Sequence, residues 1–287
     1  MLRSIRGIRS STSSLTNPDG GPMTSKSLSR AAAVTAVVWA APLIAHAQDD
    51  ASELAKKLSN PVSSLISVPF QYNYDCCFGP DDGARQTLNI QPVVPVRLND
   101  DWNLIVRTIV PLVYQESPAP GVEDSYGLSD VTQSFFFSPT SKDGLTWAVG
   151  PVFLWPVGTD ELGSNKWGAG PTGLILKQSG QSTVGLLANH IWSYAGSKAR
   201  DDVSATFLQP FYSYTTHDAT TWGANLEASY DWTHEAWSVP ANFTVSHVYK
   251  FGEQRVSLGV GAKIYLVNET DAPDWGLRAI ATFLFPK

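Results

Sequence analysis

The chain is poor in charge and in cysteine, and beyond its first 47 residues it has no long apolar run. Charged residues make up 16% of its 287 positions, well under the roughly 25% usual in soluble proteins, so an ordinary water-covered globule is disfavoured. The two cysteines, Cys76 and Cys77, are neighbours. Adjacent residues close no useful loop, which excludes a disulfide framework and a four-cysteine zinc site and leaves either a strained vicinal bond or two free thiols. The absence of any later run of about eighteen apolar residues excludes a helical membrane protein on length. Basic clusters are missing too, which makes nucleic acid an unsuitable partner.

Aromatic residues, by contrast, are plentiful: Trp 10, Tyr 10 and Phe 12, within a hydrophobic content of 43%. That mixture suits a surface facing lipid, where Trp and Tyr prefer the two interfaces.

Residues Met23 to Ala47 read as a secretory signal. Lys26 and Arg30 form the basic start, Ala31 to Ile44 the apolar run, and Ala45-His46-Ala47 a small-x-small cleavage site before Gln48. The run is too short for a membrane anchor and contains Pro42. Met1 to Pro22, rich in Ser, Arg and Gly, read as an upstream extension before a second methionine. Cleavage would remove Arg3, Arg6, Arg9, Lys26 and Arg30 together with Asp19, taking the formal charge from −6 to −10.

Downstream, apolar and polar residues alternate with period two, the mark of a strand with one greasy and one wet face. Trp222, Ala224, Leu226, Ala228, Tyr230 and Trp232 lie on one face, against Gly223, Asn225, Glu227, Ser229 and Asp231 on the other. Aromatic ends around a small aliphatic middle suit a lipid-facing strand. The same rhythm predicts twelve strands over 65–74, 85–98, 102–115, 128–138, 145–157, 168–177, 183–194, 204–215, 221–232, 237–249, 255–266 and 275–285. Long and short connections broadly alternate, as in a bacterial barrel with its N-terminus in the periplasm. The expected fold is therefore all-β, a transmembrane antiparallel β-barrel over 62–287. Eight strand prolines (Pro69, Pro92, Pro95, Pro111, Pro151, Pro171, Pro210, Pro240) require bulges or strand ends, since proline donates no ladder hydrogen bond. Residues 48–61, with Leu54 and Leu58 at helical spacing and Pro61 behind them, predict a short helical leader that either enters the barrel or frays.

Few motifs suggest chemistry. Gly168, Gly170 and Gly173 match a GxGxxG spacing, but a strand and a turn follow where a nucleotide loop needs a helix. The later histidines, His190, His217, His234 and His247, are scattered, with no metal-ligand spacing. His190 beside Ser193 or Asn189 is where a lipid-hydrolase triad would be sought, yet Ser193 and Asn189 alternate onto the opposite face. Charges aimed at lipid near midplane cost roughly 2 to 4 kcal/mol, so Arg97, Arg107, Glu227, Asp231, Lys263 and Arg278 are expected to line the interior. There they either pair across it or select a solute. No catalytic residue, metal site or cofactor is expected.

Leu54-Ala55-Lys56-Lys57-Leu58-Ser59-Asn60-Pro61, Leu65-Ile66-Ser67-Val68-Pro69-Phe70-Gln71, Leu88-Asn89-Ile90-Gln91-Pro92-Val93-Val94-Pro95, Gly127-Leu128-Ser129-Asp130, Phe136-Phe137-Ser138-Pro139 and Gly150-Pro151 carry a resemblance. Together they resemble a family of bacterial outer-membrane transporters linked by name to the meta-pathway of phenol degradation, some members of which bear the misleading label neuromedin U. The resemblance implies aromatic or small hydrophobic solutes; the barrel reading predicts passive transport across the outer membrane of a Gram-negative bacterium, with the solute selected by lumen polarity and by loops 116–127 and 158–167. The resemblance also implies that strand prolines are tolerated. Expected partners are outer-membrane lipid and lipopolysaccharide, a small-molecule solute and the barrel-assembly machinery. A lipid-acting enzyme and a closed structural barrel are the alternatives.

Overall fold

The computed structural model describes residues 50–79, 82–116, 123–140, 144–159, 162–267 and 272–285. The expected upstream extension and signal, 1–47, lie outside the described residues. A helix, α1, spans 50–58, where the Leu54/Leu58 spacing predicts one. Lys57 Nζ meets Glu53 one turn back at 2.7 Å, and beyond the helix Asn60 Oδ1 accepts the Val62 amide.

Fifteen strands follow: β1 (Ile66–Phe78), β2 (Gly83–Ile90), β3 (Val93–Arg97), β4 (Trp102–Gln115), β5 (Ser125–Leu128), β6 (Val131–Pro139), β7 (Leu145–Trp155), β8 (Lys166–Ser179), β9 (Ser182–Gly196), β10 (Ser204–Thr215), β11 (Thr220–Leu226), β12 (Ala228–Asp231), β13 (Ala236–Phe251), β14 (Gln254–Val267) and β15 (Trp275–Phe285). Three pairs, β2 with β3, β5 with β6 and β11 with β12, are single staves broken once, so the cylinder has twelve antiparallel staves, as the alternation predicts. The seam is β1 against β15, from Ile66 opposite Phe285 to Cys76 opposite Trp275. One expected boundary is corrected. The connection read at 75–84 shrinks to 79–82, because a register shift between Cys76 and Phe78, with Cys77 at φ 69°, lets β1 run on past the cysteine pair.

Prolines account for the interruptions. Gln91 N donates to Pro69 O and Thr108 N to Pro92 O at the β2/β3 break, Ser129 N to Pro111 O at the β5/β6 break, and Glu227 N to Pro240 O at the β11/β12 break. Each proline offers a carbonyl but no amide, so its neighbour is released from one ladder bond at that level and bends. Pro151 and Pro171 face each other across β7 and β8, and the flanking ladders skip the same level. The glycines before them permit a close approach of strands: a Cβ on Gly170 would stand 1.7 Å from His190 O, and one on Gly150 1.8 Å from Phe135 O. Of the GxGxxG spacing, which lies inside β8, Gly168 and Gly170 thus serve close strand contact, whereas Gly173 has room for a Cβ.

The outer wall is apolar, with Val184, Leu186, Phe243, Val260, Ile264 and Leu277 exposed. Aromatic girdles flank this band. Trp102 packs on Trp147 at 5.9 Å near one end, and Trp155 on Trp167 at 5.5 Å near the other. Connections 98–101, 140–144, 180–181, 216–219 and 252–253 share the first end, and 116–124, 156–165, 197–203 and 268–274 the second. Two of the tight turns rest on glycine at positive φ, Gly180 (57°) and Gly252 (60°). Among the described residues no helix is long and apolar enough to cross a membrane; a closed cylinder with a greasy exterior crosses with its strands.

The segment 50–65 lies inside the short-turn end. Leu54, Ala55 and Leu65 pack with Ala219, Val248 and Leu284, while Val62 packs with Ile105, Phe136, Ala148, Leu174, Leu176 and Leu187. Burial of this kind is worth about 1.5–3 kcal/mol for a Leu or Val side chain. Ser52 Oγ donates to Thr216 O at 3.3 Å and Gln178 Nε2 to Lys56 O at 3.0 Å. Of the two readings of this leader, the packed one is what the structure shows.

Candidate functional site: the barrel interior

Inward-facing residues of ten of the twelve staves, all but β7 and β8, line two adjoining cavities. The outer one, toward the long loops, measures 570 Å³. The inner one, beside residues 55–63, measures 320 Å³. Gln71, Gln91, Arg107, Gln209, Asn225, Thr244 and Ile280 line both and so mark the waist between them. Alternation along the strands explains the placement: Gln71, Asn73 and Asp75 of β1 point in while Tyr72 and Tyr74 point out, and Arg107 points in between the outward Val106 and Thr108.

Charge in the outer cavity is organised in pairs. Lys263 Nζ of β14 sits 2.7 Å from Asp75 Oδ1 of β1. Arg278 of β15 grips Glu227 with both terminal nitrogens, at 2.9 and 3.0 Å, and gives its Nε to Asn73 Oδ1 at 2.7 Å. Glu227 stands at the break between β11 and β12, so this fork cuts across the interior past the faces of β13 and β14. Bidentate geometry of this kind fixes both side chains and strengthens the bond. Above it, Arg85 donates Nε to Gln115 Oε1 at 2.8 Å and lies over the Phe78 ring at 4.6 Å. Arg107 differs. Its Nη2 donates to the neutral Gln91 Oε1 at 3.0 Å, and among the described residues no carboxylate stands within ion-pair distance of it.

The structure thus brings together four of the six residues read as lumen-lining: Arg107, Glu227, Lys263 and Arg278. Arg97 instead lies at the short-turn rim, exposed, bonded to Asp100 of the same turn. Asp231 lies at the opposite rim, its carboxylate 2.8 Å from His234 Nδ1. Asp75, Asn73, Gln91 and Gln209 were not singled out from the sequence, although alternation carried through 71–75 would have found the first two. The Asp231–His234 contact holds the His234 imidazole above its ordinary pKa, first through that hydrogen bond and then through the negative charges of Asp231 and Asp201.

Two further places were singled out in the sequence. The loop read at 158–167 falls between Trp155 and Lys166 and is pinned at the rim, where buried Asp130 accepts the Gly158 and Ser164 amides at 3.2 and 2.7 Å and Ser129 Oγ donates to Leu162 O at 2.8 Å. His190 is on the outer face, its Nδ1 2.7 Å from Thr206 Oγ1 and its ring packed on Trp192 at 4.0 Å. Ser193 faces the other way and is bonded to Asp202. Among the described residues no group of three or more His, Cys, Asp or Glu could hold a metal ion.

No family model matches the chain, and no curated protein matches its sequence. Solved structures do share its shape. An outer-membrane channel of the COG4313 group from Pseudomonas putida F1 superposes with a TM-score of 0.61 at 14% identity, over 77% of this chain and 96% of that one. The porin KdgM, solved in complex with disordered oligogalacturonate, gives 0.47 at 14% identity over 77% and 99%, and the porin NanC 0.47 at 11% over 76% and 98%. At these identities the likeness to the Pseudomonas channel is one of fold.

Proposed function

We propose that this protein is an outer-membrane channel or transporter through which small solutes cross. The observation that carries this reading is a cavity of 570 Å³, lined by amide, hydroxyl and charged side chains among apolar ones, inside a closed cylinder whose exterior is apolar; a barrel serving only as a structural wall gains nothing from that space. The structural neighbour from Pseudomonas is itself described as an outer-membrane channel. The leader read at 23–47 supplies the export route, and outer-membrane lipid, lipopolysaccharide and the barrel-assembly machinery are the matching partners. The resemblance to transporters linked to phenol degradation nominates aromatic or small hydrophobic solutes. The amide- and charge-lined waist adds that a favoured solute carries a polar group.

Reconstitution of the processed protein into planar bilayers and liposomes tests the proposal. Discrete conductance steps and faster liposome swelling with small solutes are expected; membranes that stay silent in both assays would refute it. Lipid hydrolysis abolished by His190→Ala would favour the enzyme reading, against which the outward His190 and inward Ser193 argue.

A further inference from the structure

Among the described residues the two cavities are lined by three cations and two carboxylates, Arg107, Lys263 and Arg278 against Asp75 and Glu227, with Arg85 above them on the neutral Gln115. Both carboxylates are taken. Asp75 is held by Lys263 at 2.7 Å, and the two oxygens of Glu227 are each occupied by an Arg278 nitrogen. Of the three lining cations Arg107 is left over, and it stands at the waist, with one donor on Gln91 and the rest of its fork unclaimed by any carboxylate of the described residues. A guanidinium cannot shed its proton at any ordinary pH, and enclosing an uncompensated cation in a protein interior is costly. The cost falls when an anion enters, and the planar fork matches a carboxylate in particular.

We infer that Arg107 is an anion-binding site that receives the carboxylate of a small organic acid as it passes from one chamber to the other. This rests on reading the barrel as a solute path and names the solute class for it. Gln71, Gln209 and Asn225, which share the waist, can turn their amide N–H groups toward the second carboxylate oxygen. Ile109, Phe207 and Ile280 on the same lining give the organic part an apolar surface. A cation in transit would meet the same Arg107 charge as a barrier.

The test uses the processed full-length protein and two readouts: reversal potential in planar bilayers under a KCl gradient, and calorimetric titration of the detergent-solubilised protein with benzoate. Wild type should prefer chloride to potassium and bind benzoate. Arg107→Gln should lose the preference and weaken benzoate binding at least about tenfold, the size of one charge-assisted hydrogen bond. Arg107→Lys, which keeps the charge and loses the fork, should retain the ion preference but bind benzoate more weakly, and it guards against a misfolded glutamine variant. Cation preference in wild type, or equal selectivity and affinity in wild type and Arg107→Gln, would overturn the site. Silent bilayers with Arg107-dependent benzoate binding would remove the channel and leave the site, whereas unselective conductance without binding would do the reverse.

Discussion

The two sides of the cylinder are built differently. Across β13, β14, β15 and β1 the ladders are long and register shifts only between Val239 and Pro240. This arc carries Asp75, Lys263 and Arg278 on its inner face. From β2 to β9, staves are broken or ladders skip beside Pro69, Pro92, Pro111, Pro151 and Pro171, and the inner face near the short-turn end is apolar: Ile105, Phe136, Ala148, Leu174, Leu176 and Leu187, packed on Val62. Period two is sharp where one face meets lipid and the other meets water and ions. It blurs where the N-terminal segment covers the interior, because both faces are then greasy.

The largest way to disturb this contrast is to break the ion ties of the regular arc. Arg278→Met leaves Glu227 without its partner and should cost about 3 to 5 kcal/mol, seen as a lower urea midpoint for the detergent-folded barrel. Adding Glu227→Gln should recover much of the loss; no recovery would mean that the fork is not what holds the arc. On the outside of the same arc, Val260→Arg places a charge in lipid near mid-barrel at about 2 to 4 kcal/mol. It should reduce the heat-modifiable folded band after refolding into vesicles, and full folding yield would place Val260 away from lipid.

Proline sharpens the comparison further. Ala262→Pro, opposite Phe243 and Leu277 in continuous ladders, should cost about 1 to 3 kcal/mol through an unsatisfied partner. Pro151→Ala in the broken arc should change stability by under about 1 kcal/mol, mainly through the unfolded chain. Equal losses in the same unfolding assay would erase the distinction between the arcs. The smallest effect concerns the long-loop rim. With its folded pKa raised above the ordinary 6.5, protonated His234 contributes its full tie to Asp231 and Asp201 below that value and loses it as pH climbs through the raised one. An NMR titration should give a midpoint above that of an unstructured histidine, and Asp231→Asn should bring it down.

Alternation in the sequence reveals which way a side chain faces, and in the structure Arg107, Glu227, Lys263 and Arg278 stand on the inward side of their strands. It does not reveal depth along the strand, which is why Arg97 and Asp231, also inward by rhythm, end at the rims. Nor does it reveal partners across the interior: Glu227 and Arg278 meet only because the sheet curls, and nothing in the spacing of 51 residues between them encodes that chord. Asp75 escaped notice because the alternation places the end of the first strand at 74, where the bulge in fact lets β1 continue. The prolines looked like objections to a barrel. They became its joints once a neighbouring stave, broken at the same level, gave up the amide bond that proline cannot make.

The interior segment runs straight into Ile66, the first residue of the strand that closes the ring. Tension applied to the chain's leading end and directed out of the short-turn mouth therefore acts along β1 and not across it. Its hydrogen bonds to β15 and β2 would share that load in shear, the direction in which a ladder resists best, instead of opening one after another like a zip. Withdrawal of the segment is resisted instead by the packing of Leu54, Val62 and Leu65 and by the hydrogen bonds of Ser52 to Thr216 and of Gln178 to Lys56.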